Sequence, residues 1–491
     1  MLRVWSVYGL SSILSRSIAF LLLPLYTRVL TPEEYGVRAM VALGLELTML
    51  LVACGLKEAI NRFYLSGPDG APRPEAASTG ILTHAGLIGL GMVLGLSFAP
   101  WLAGPLLGDA SLAPYLRLGF VAGFFTHVYE GAFVYVRARG RARTVAFTSL
   151  GTLVAMVALN LLFVVVLRLG VAGIFYTEIL VFGAAGVTFT FLALREVGLA
   201  FVPDLARRMI RFGSPLMLMA GAWLFLTRTD AMFLTHYGSL AHVGVYAIGV
   251  QCAQVLLLAV IYPFRQVWDP LQFQIARDAA GRRLFRRMFQ WVTFLAVVAA
   301  FGCALAAEDV IRVMTAPAFH GAAAVVPILV IAYVLEAIHL FFNSALLVRN
   351  RTTLVAGVAV VTVAVNLGAN ALLVPHFLAA GAAAARVVAM AVMVATTFVL
   401  AQRLSRQEPD LVALAKVSGW AIALFAVASA LPALPLAVSV AVKSLLVAAL
   451  AALGVWSGAL DRHEAARAWH LVRERLGRRA AASTEAEATV P

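Results

Sequence analysis

The chain has 491 residues, 62% of them apolar and only 13% charged, with a formal net charge of +14. Soluble domains run at about 45–50% apolar, so a string of water-soluble domains is excluded, and at ~20 apolar residues per bilayer crossing about twelve to fourteen spans fit. The three cysteines, Cys54, Cys252 and Cys303, lie far apart inside apolar runs, which excludes the close spacings of a disulfide framework or a zinc site.

In chain order, apolar runs predict spans at 5–29, 37–59, 79–101, 115–136, 145–167, 171–194, 212–236, 243–264, 288–311, 322–346, 353–374, 379–402, 416–434 and 437–459. The expected fold class is therefore an all-α integral membrane protein of about 14 transmembrane helices. The first run is long enough to mimic a secretory signal. It carries Arg16 mid-run, lacks a small-residue cleavage pattern and is followed at once by more spans, so it reads as a retained helix. Arginines collect on alternate connections, at 137–143, 195–211, 265–287, 349–351 and 403–406. The positive-inside rule then places both termini in the cytoplasm.

That distribution accounts for the positive charge through membrane lipid headgroups, without a nucleic-acid partner. No connection exceeds about 25 residues, which leaves no room for a soluble catalytic domain. Beyond Leu460, Ala466, Trp469, Val472 and Leu476 fall at helical spacing among arginines, as in a basic amphipathic helix on the cytoplasmic side. From Ala480 onward the composition suits a disordered tail.

The chain also repeats itself. At an offset of 208 residues, Thr27 falls on Thr235, Thr31 on Ser239, Gly36 on Gly244, Val37 on Val245 and Ala39 on Ala247. A second echo pairs Ala158 to Asn160 with Ala364 to Asn366, each followed by an apolar run and an Ala-Gly pair, at Gly173 and Gly381. Six spans separate equivalent positions, so the halves would be parallel repeats about an axis along the membrane normal. The expected organisation is two six-helix lobes, 1–211 and 212–403, around a central cavity, then two further helices over 404–460 and the tail 461–491.

The segment PLYTRVLTPEEYG, Pro24 to Gly36, has a local logic. Pro24 should bend the first helix, Thr31 can cap the next one, and Pro32, Glu33 and Glu34 suit its first turn. With Ser15 and Arg16 before it, this segment resembles the opening of Wzx-like polysaccharide flippases of the multidrug/oligosaccharidyl-lipid/polysaccharide exporter superfamily. The Asn-to-glycine stretches at 160–173 and 366–381 are similar to that family's recurring pattern.

Charged groups at mid-membrane cost about 2.5–3.5 kcal/mol on insertion scales, so those retained are usually paired or functional. The candidates are Arg16, Arg228, Asp230, Glu178 and Arg386. Arg228 and Asp230 stand about 200° apart around a helix, so each needs a partner elsewhere. A guanidinium presents a fixed fork of donors that matches phosphate oxygens two at a time, which makes Arg16, Arg228 and Arg386 the candidate substrate contacts. The resemblance implies that role for Arg16. Asp230 and Glu178 are candidates for ion coupling or inter-lobe pairing; an internal network, such as Glu178 with Arg386, is the alternative for the whole set. Glu46, Glu130, Glu336, Gln251, Gln254, His339 and Asn343 also fall within spans and suit bonding between helices.

The resemblance implies a flippase in the bacterial cytoplasmic membrane that moves a polyprenyl-phosphate or pyrophosphate-linked oligosaccharide outward by alternating access, making and breaking no bond. It implies no cofactor or metal. Protons or sodium as the coupling ion, and other polysaccharide-assembly proteins as partners, stay open. A cation-coupled drug exporter, with carboxylates favoured over arginines in its cavity, and a lipid II flippase are the rivals; a membrane polymerase or acyltransferase is the reading from another class.

Overall fold

Long runs of leucine, alanine and valine leave backbone donors and acceptors that oil cannot satisfy, and the helix satisfies them locally. The computed structural model describes residues 22–65, 73–275, 281–405, 407–432 and 434–460, helical almost throughout and without a strand among them. Arg16 and the amphipathic segment after Leu460 lie outside the described residues.

The helices are α1 (Leu23–Val29), α2 (Pro32–Ala53), α3 (Leu56–Leu65), α4 (Pro74–Leu107), α5 (Ala113–Ala138), α6 (Ala142–Asn160) and α7 (Gly170–Val197). They continue as α8 (Pro203–Tyr237), α9 (Leu240–Ala253), α10 (Tyr262–Ile275), α11 (Gly281–Met314), α12 (Val326–Val348), α13 (Thr352–Leu404), α14 (Leu411–Ser429) and α15 (Leu436–Trp456). Among the described residues, ten spans are long and apolar enough to cross a membrane, or eleven if the bent pair Pro203–Met217 and Ala220–Tyr237 is one span. The expectation was fourteen, and the difference has identifiable sources. The first run falls mostly outside the described residues, α5 interrupts its apolar surface with Arg117, His127, Glu130 and Arg137, and α13 joins two expected spans.

At 53 residues, α13 would run about 80 Å if straight, against a hydrocarbon core of about 30 Å. It reverses instead at Leu378, which takes φ 46° and ψ −122° three residues after Pro375. Gly381 there lies against the carbonyl of Leu373, eight residues back, where a straight helix would hold the two about 12 Å apart. The same device makes the corner between α6 and α7, where Arg168 takes a positive φ of 52°. A Cβ on Gly173 would stand 3.1 Å from the Phe163 carbonyl.

The chain divides into two units: Met1–Cys252 with Val310–Leu329 and Ala356–Met393, and Ala253–Asp309 with Val330–Val355 and Val394–Pro491. In the first, Leu56, Ile60, Tyr64, Ile81, Tyr135, Leu205 and Met209 form a buried core, with Tyr64 and Tyr135 edge to face at 5.3 Å. In the second, Trp268, Phe285, Phe289, Phe341 and Phe342 form an aromatic core. There α14 and α15 pack through Val417 and Leu450 against Val297, Phe301 and Leu305 of α11.

Candidate functional site

The first unit encloses a cavity of about 510 Å³, walled by α2, the start of α3, α5 and α8. Met49, Leu50, Leu216, Met217, Trp223 and Leu224 supply its apolar surface; Glu46, Lys57, Glu58, His127, Thr227 and Arg228 supply the polar one. Gly55 is required where α2 gives way to α3: it has φ +61°, and a Cβ there would meet the Gly213 carbonyl at 2.5 Å. Helix α8 can therefore press close to this corner.

Arg228 holds Glu46 in a two-point fork, Nε to Oε2 at 3.0 Å and Nη2 to Oε1 at 2.8 Å. Their side chains remain 43% and 41% exposed, so the pair stands on the cavity wall in reach of solvent. On another wall, Glu130 Oε2 accepts from Lys57 Nζ at 2.7 Å and lies 3.2 Å from His127 Nδ1.

Arg386 is placed differently. It is buried behind the wall, donating to the Thr227 carbonyl at 2.7 Å and pairing with Asp230. Asp230 also accepts from the Tyr246 hydroxyl at 2.5 Å. Arg386 and Asp230 thus bring α13 to α8 and α9, and Arg386 is not among the residues that line the cavity. Both partners fall within 212–403, so the pair does not join the two expected lobes. Glu178 sits half-buried on α7 within electrostatic range of Arg38. The guanidinium of Arg38 lies over the rings of Tyr26 and Tyr35 at 5.2 and 5.8 Å.

Around Arg38 the α2 and α9 helices meet. A Cβ on Gly36 would strike the Leu240 carbonyl, and one on Gly244 would strike the Pro32 carbonyl. Under the 208-residue offset Gly36 becomes Gly244 and Pro32 becomes Leu240, so each contact turns into the other. Such reciprocity is what a two-fold axis through the crossing produces. The caps follow the same rule: Thr31 Oγ1 accepts from the Glu34 amide at 3.2 Å, and Ser239 Oγ from the His242 amide at 3.4 Å. Thr31 caps α2 as the motif led one to expect, and Glu34 in turn accepts from the Thr31 amide to make a full capping box. Alongside, the Tyr35 hydroxyl donates to Gln251 Oε1 at 3.0 Å, and the Tyr35 ring meets Phe319 at 5.9 Å.

Of the five sequence candidates, the structure puts Arg228 on the cavity, joins Asp230 with Arg386 behind it, and sets Glu178 apart near Arg38; Arg16 is not described. Sequence reasoning missed Lys57 and His127. The signal for the second was present, because His127 and Glu130 stand three apart on one helical face. No sequence spacing connects Lys57 to them.

Three comparisons bear on this arrangement. Residues 25–324 match the family described as polysaccharide biosynthesis protein. No curated protein matches the chain. Among solved structures, a lipid II flippase MurJ in an inward closed conformation superposes with a TM-score of 0.72 at 12% identity, over 93% of this chain and 99% of that one. An inward-facing multidrug resistance MATE transporter gives a TM-score of 0.63 at 16% identity, over 82% and 96%. A Vibrio cholerae MATE transporter gives 0.51 at 15% identity, over 82% and 94%. At such identities the likeness is one of fold, and it makes this chain a multi-pass membrane protein of that fold.

Proposed function

The chain belongs to the polysaccharide biosynthesis protein family, and from that premise we propose that it is a flippase for a polyprenyl-phosphate or pyrophosphate-linked oligosaccharide. It works in the bacterial cytoplasmic membrane with both termini inside, serving O-antigen, capsule or exopolysaccharide assembly. Two lobes rock about the axis through the Gly36 and Gly244 crossing, in alternating access. The lipid tail slides through the bilayer, and no bond is made or broken. Protons or sodium drive the cycle, and other assembly proteins receive the cargo.

The observation that carries this reading is the forked Arg228–Glu46 pair on the cavity wall. A carboxylate held at both oxygens occupies the place a phosphate would take, since both accept the same planar fork. An arriving phosphate displaces Glu46, and the exposed pair costs little to open. Arg16, by the family resemblance, adds a second phosphate contact. The test is transbilayer movement of a fluorescent undecaprenyl-pyrophosphate-linked disaccharide in vesicles holding the full chain. Arg228→Ala should lower the rate by about tenfold or more, with Arg228→Lys recovering part of it. A wild-type rate in Arg228→Ala removes the phosphate site.

A second reading is favoured by the two cavity carboxylates, Glu46 and Glu58, beside Trp223 and the apolar wall: export of an amphipathic cation. Efflux of ethidium from the same vesicles, lost in Glu46→Gln and unaffected in Arg228→Lys, would select it.

A further inference from the structure

The cavity is chemically unequal along its length, and the helices that wall it fix the order of its parts. Arg228 of α8 stands opposite Glu46 of α2, a Cβ on Gly221 would touch Leu50 at 3.5 Å, and Gly213 lies against Gly55. A path from Arg228 toward the corner of α2 and α3 therefore passes Trp223 and ends near Lys57 and Glu58. Trp223 is five residues before Arg228, about 7.5 Å along the helix, and Gly213 lies ten residues, about 15 Å, further on. That leaves room for one sugar ring beside a phosphate, and for another toward the corner.

Each part has its own chemistry. At one end Arg228 offers its planar fork once Glu46 is displaced. At the other, Lys57 is tied to Glu130 through Nζ and Oε2 at 2.7 Å, whereas the exposed Glu58 carboxylate lines the cavity and meets no hydrogen-bond donor among the described residues. One cation against two carboxylates leaves this end negative. Between the ends, Trp223 is 42% exposed and makes none of the ring contacts that lock Trp268 into its aromatic core. Its face is open to the cavity.

A pyranose matches these features. Its C–H groups form an apolar face that a flat indole covers, and the hydroxyls at its rim donate to a carboxylate, which only accepts. A second carboxylate brought to Glu58 is repelled. We propose that Trp223 and Glu58 form the glycan subsite of the cavity, and that it selects neutral sugars, such as N-acetylhexosamines, over uronic acids. The proposal rests on the phosphate-cargo reading and gives the class of glycan that the phosphate carries. Arg228 holds the phosphate, Trp223 covers the first ring, and Glu58 accepts from the hydroxyls of a later one.

The experiment measures binding of three short-tailed polyprenyl-pyrophosphoryl lipids to the full chain in nanodiscs. One carries two N-acetylglucosamines, one has glucuronic acid as its second sugar, and one ends its diphosphate in a methyl ester without sugar; the phosphodiester charge is the same in all three. The wild type should bind the neutral disaccharide about fivefold or more tighter than the methyl ester. It should bind the acidic disaccharide about tenfold more weakly than the neutral one. Trp223→Leu, which keeps apolar bulk and removes the flat ring, should bring the neutral disaccharide down to the affinity of the methyl ester, and Trp223→Phe should recover part of the difference. Glu58→Gln should tighten the acidic disaccharide about fivefold and narrow the gap between the two glycans. A wild type that binds the methyl ester as tightly as the neutral disaccharide, or a sugar advantage that survives Trp223→Leu, overturns the glycan subsite and leaves the phosphate reading standing. The first of these needs no variant, so it stands whatever Trp223→Leu does to folding. An acidic disaccharide bound as well as the neutral one, or a gap unchanged in Glu58→Gln, overturns the selection for neutral sugars. No wild-type binding of any of the three, or methyl-ester binding that is unchanged in Arg228→Ala, overturns the phosphate reading and this proposal with it.

Discussion

Two arginine–carboxylate pairs, Arg228 with Glu46 and Arg386 with Asp230, lie within the same unit and differ in one respect that decides their roles. The first pair is 43% and 41% exposed on the cavity wall; the second is 3% and 4% exposed. Chemistry is shared, but solvent is not. An exposed pair contributes at most about 1 kcal/mol, so it can be opened by a competing anion. A buried pair, once one partner is removed, leaves a charge with no water and no counterion, at about 3–5 kcal/mol. The wall pair can thus be opened at little cost, and the buried pair holds α8 and α13 together.

The sharpest way to break this contrast is to remove each arginine in turn. Arg386→Met should destabilise the protein by about 3–5 kcal/mol, read as a large fall in thermal midpoint and in folded yield. The double variant Arg386→Met with Asp230→Leu should recover much of that loss, because no buried charge remains. A single variant as stable as the wild type would end the structural role given to this pair. The next effect involves no charge. Gly36→Val and Gly244→Val each drive a side chain into a facing carbonyl, at about 1–3 kcal/mol. Their thermal shifts should match, since the crossing is reciprocal, and a cost confined to one of them would show that it is not.

Asp410 supplies an intermediate case in the second unit. Its carboxyl caps α14 through the Ala413 amide at 3.0 Å and accepts from Arg286 at 2.9 Å and Gln290 at 2.7 Å. Burial pushes this carboxyl up, but the bonds from Arg286, the Ala413 amide and Gln290 outweigh it and hold the group below the usual carboxylate range. A value lowered on folding stabilises above that range, and the contribution is lost as pH falls through the lowered value. Asp410→Ala should cost about 1 kcal/mol near neutral pH and flatten the acid limb of a stability profile. A penalty that persists unchanged in acid would contradict the ionised cap. The smallest effect belongs to Arg228→Gln, with a stability change under about 1 kcal/mol in a chain that nonetheless loses cargo movement. A thermal collapse like that of Arg386→Met would erase the distinction between the two pairs.

Much of the fold was legible because oil imposes one secondary structure. Runs of apolar residues announced the helices, Thr31 announced the cap of α2, and the gap between the expected spans 353–374 and 379–402 falls where α13 reverses at Leu378. The site was legible only in part. Arg228 and Arg386 look alike in sequence, each an arginine within an apolar run, and nothing local says which one faces a cavity. The partners are equally remote: Glu46 is 182 residues from Arg228, and Asp230 is 156 from Arg386. The sequence reading offered Glu178 as an example of a partner for Arg386, whereas Asp230 fills that place from a neighbouring helix.

Composition and periodicity determined by themselves that this chain lies in a membrane, is helical, and carries matching segments about 208 residues apart, because each of these follows from local solvation and backbone geometry. Which charges meet was decided by tertiary packing alone. Arg228 and Asp230 stand about 200° apart around α8, so the rotation of that helix about its axis decides which of them faces the cavity, and that rotation is set by contacts such as Gly55 against Gly213.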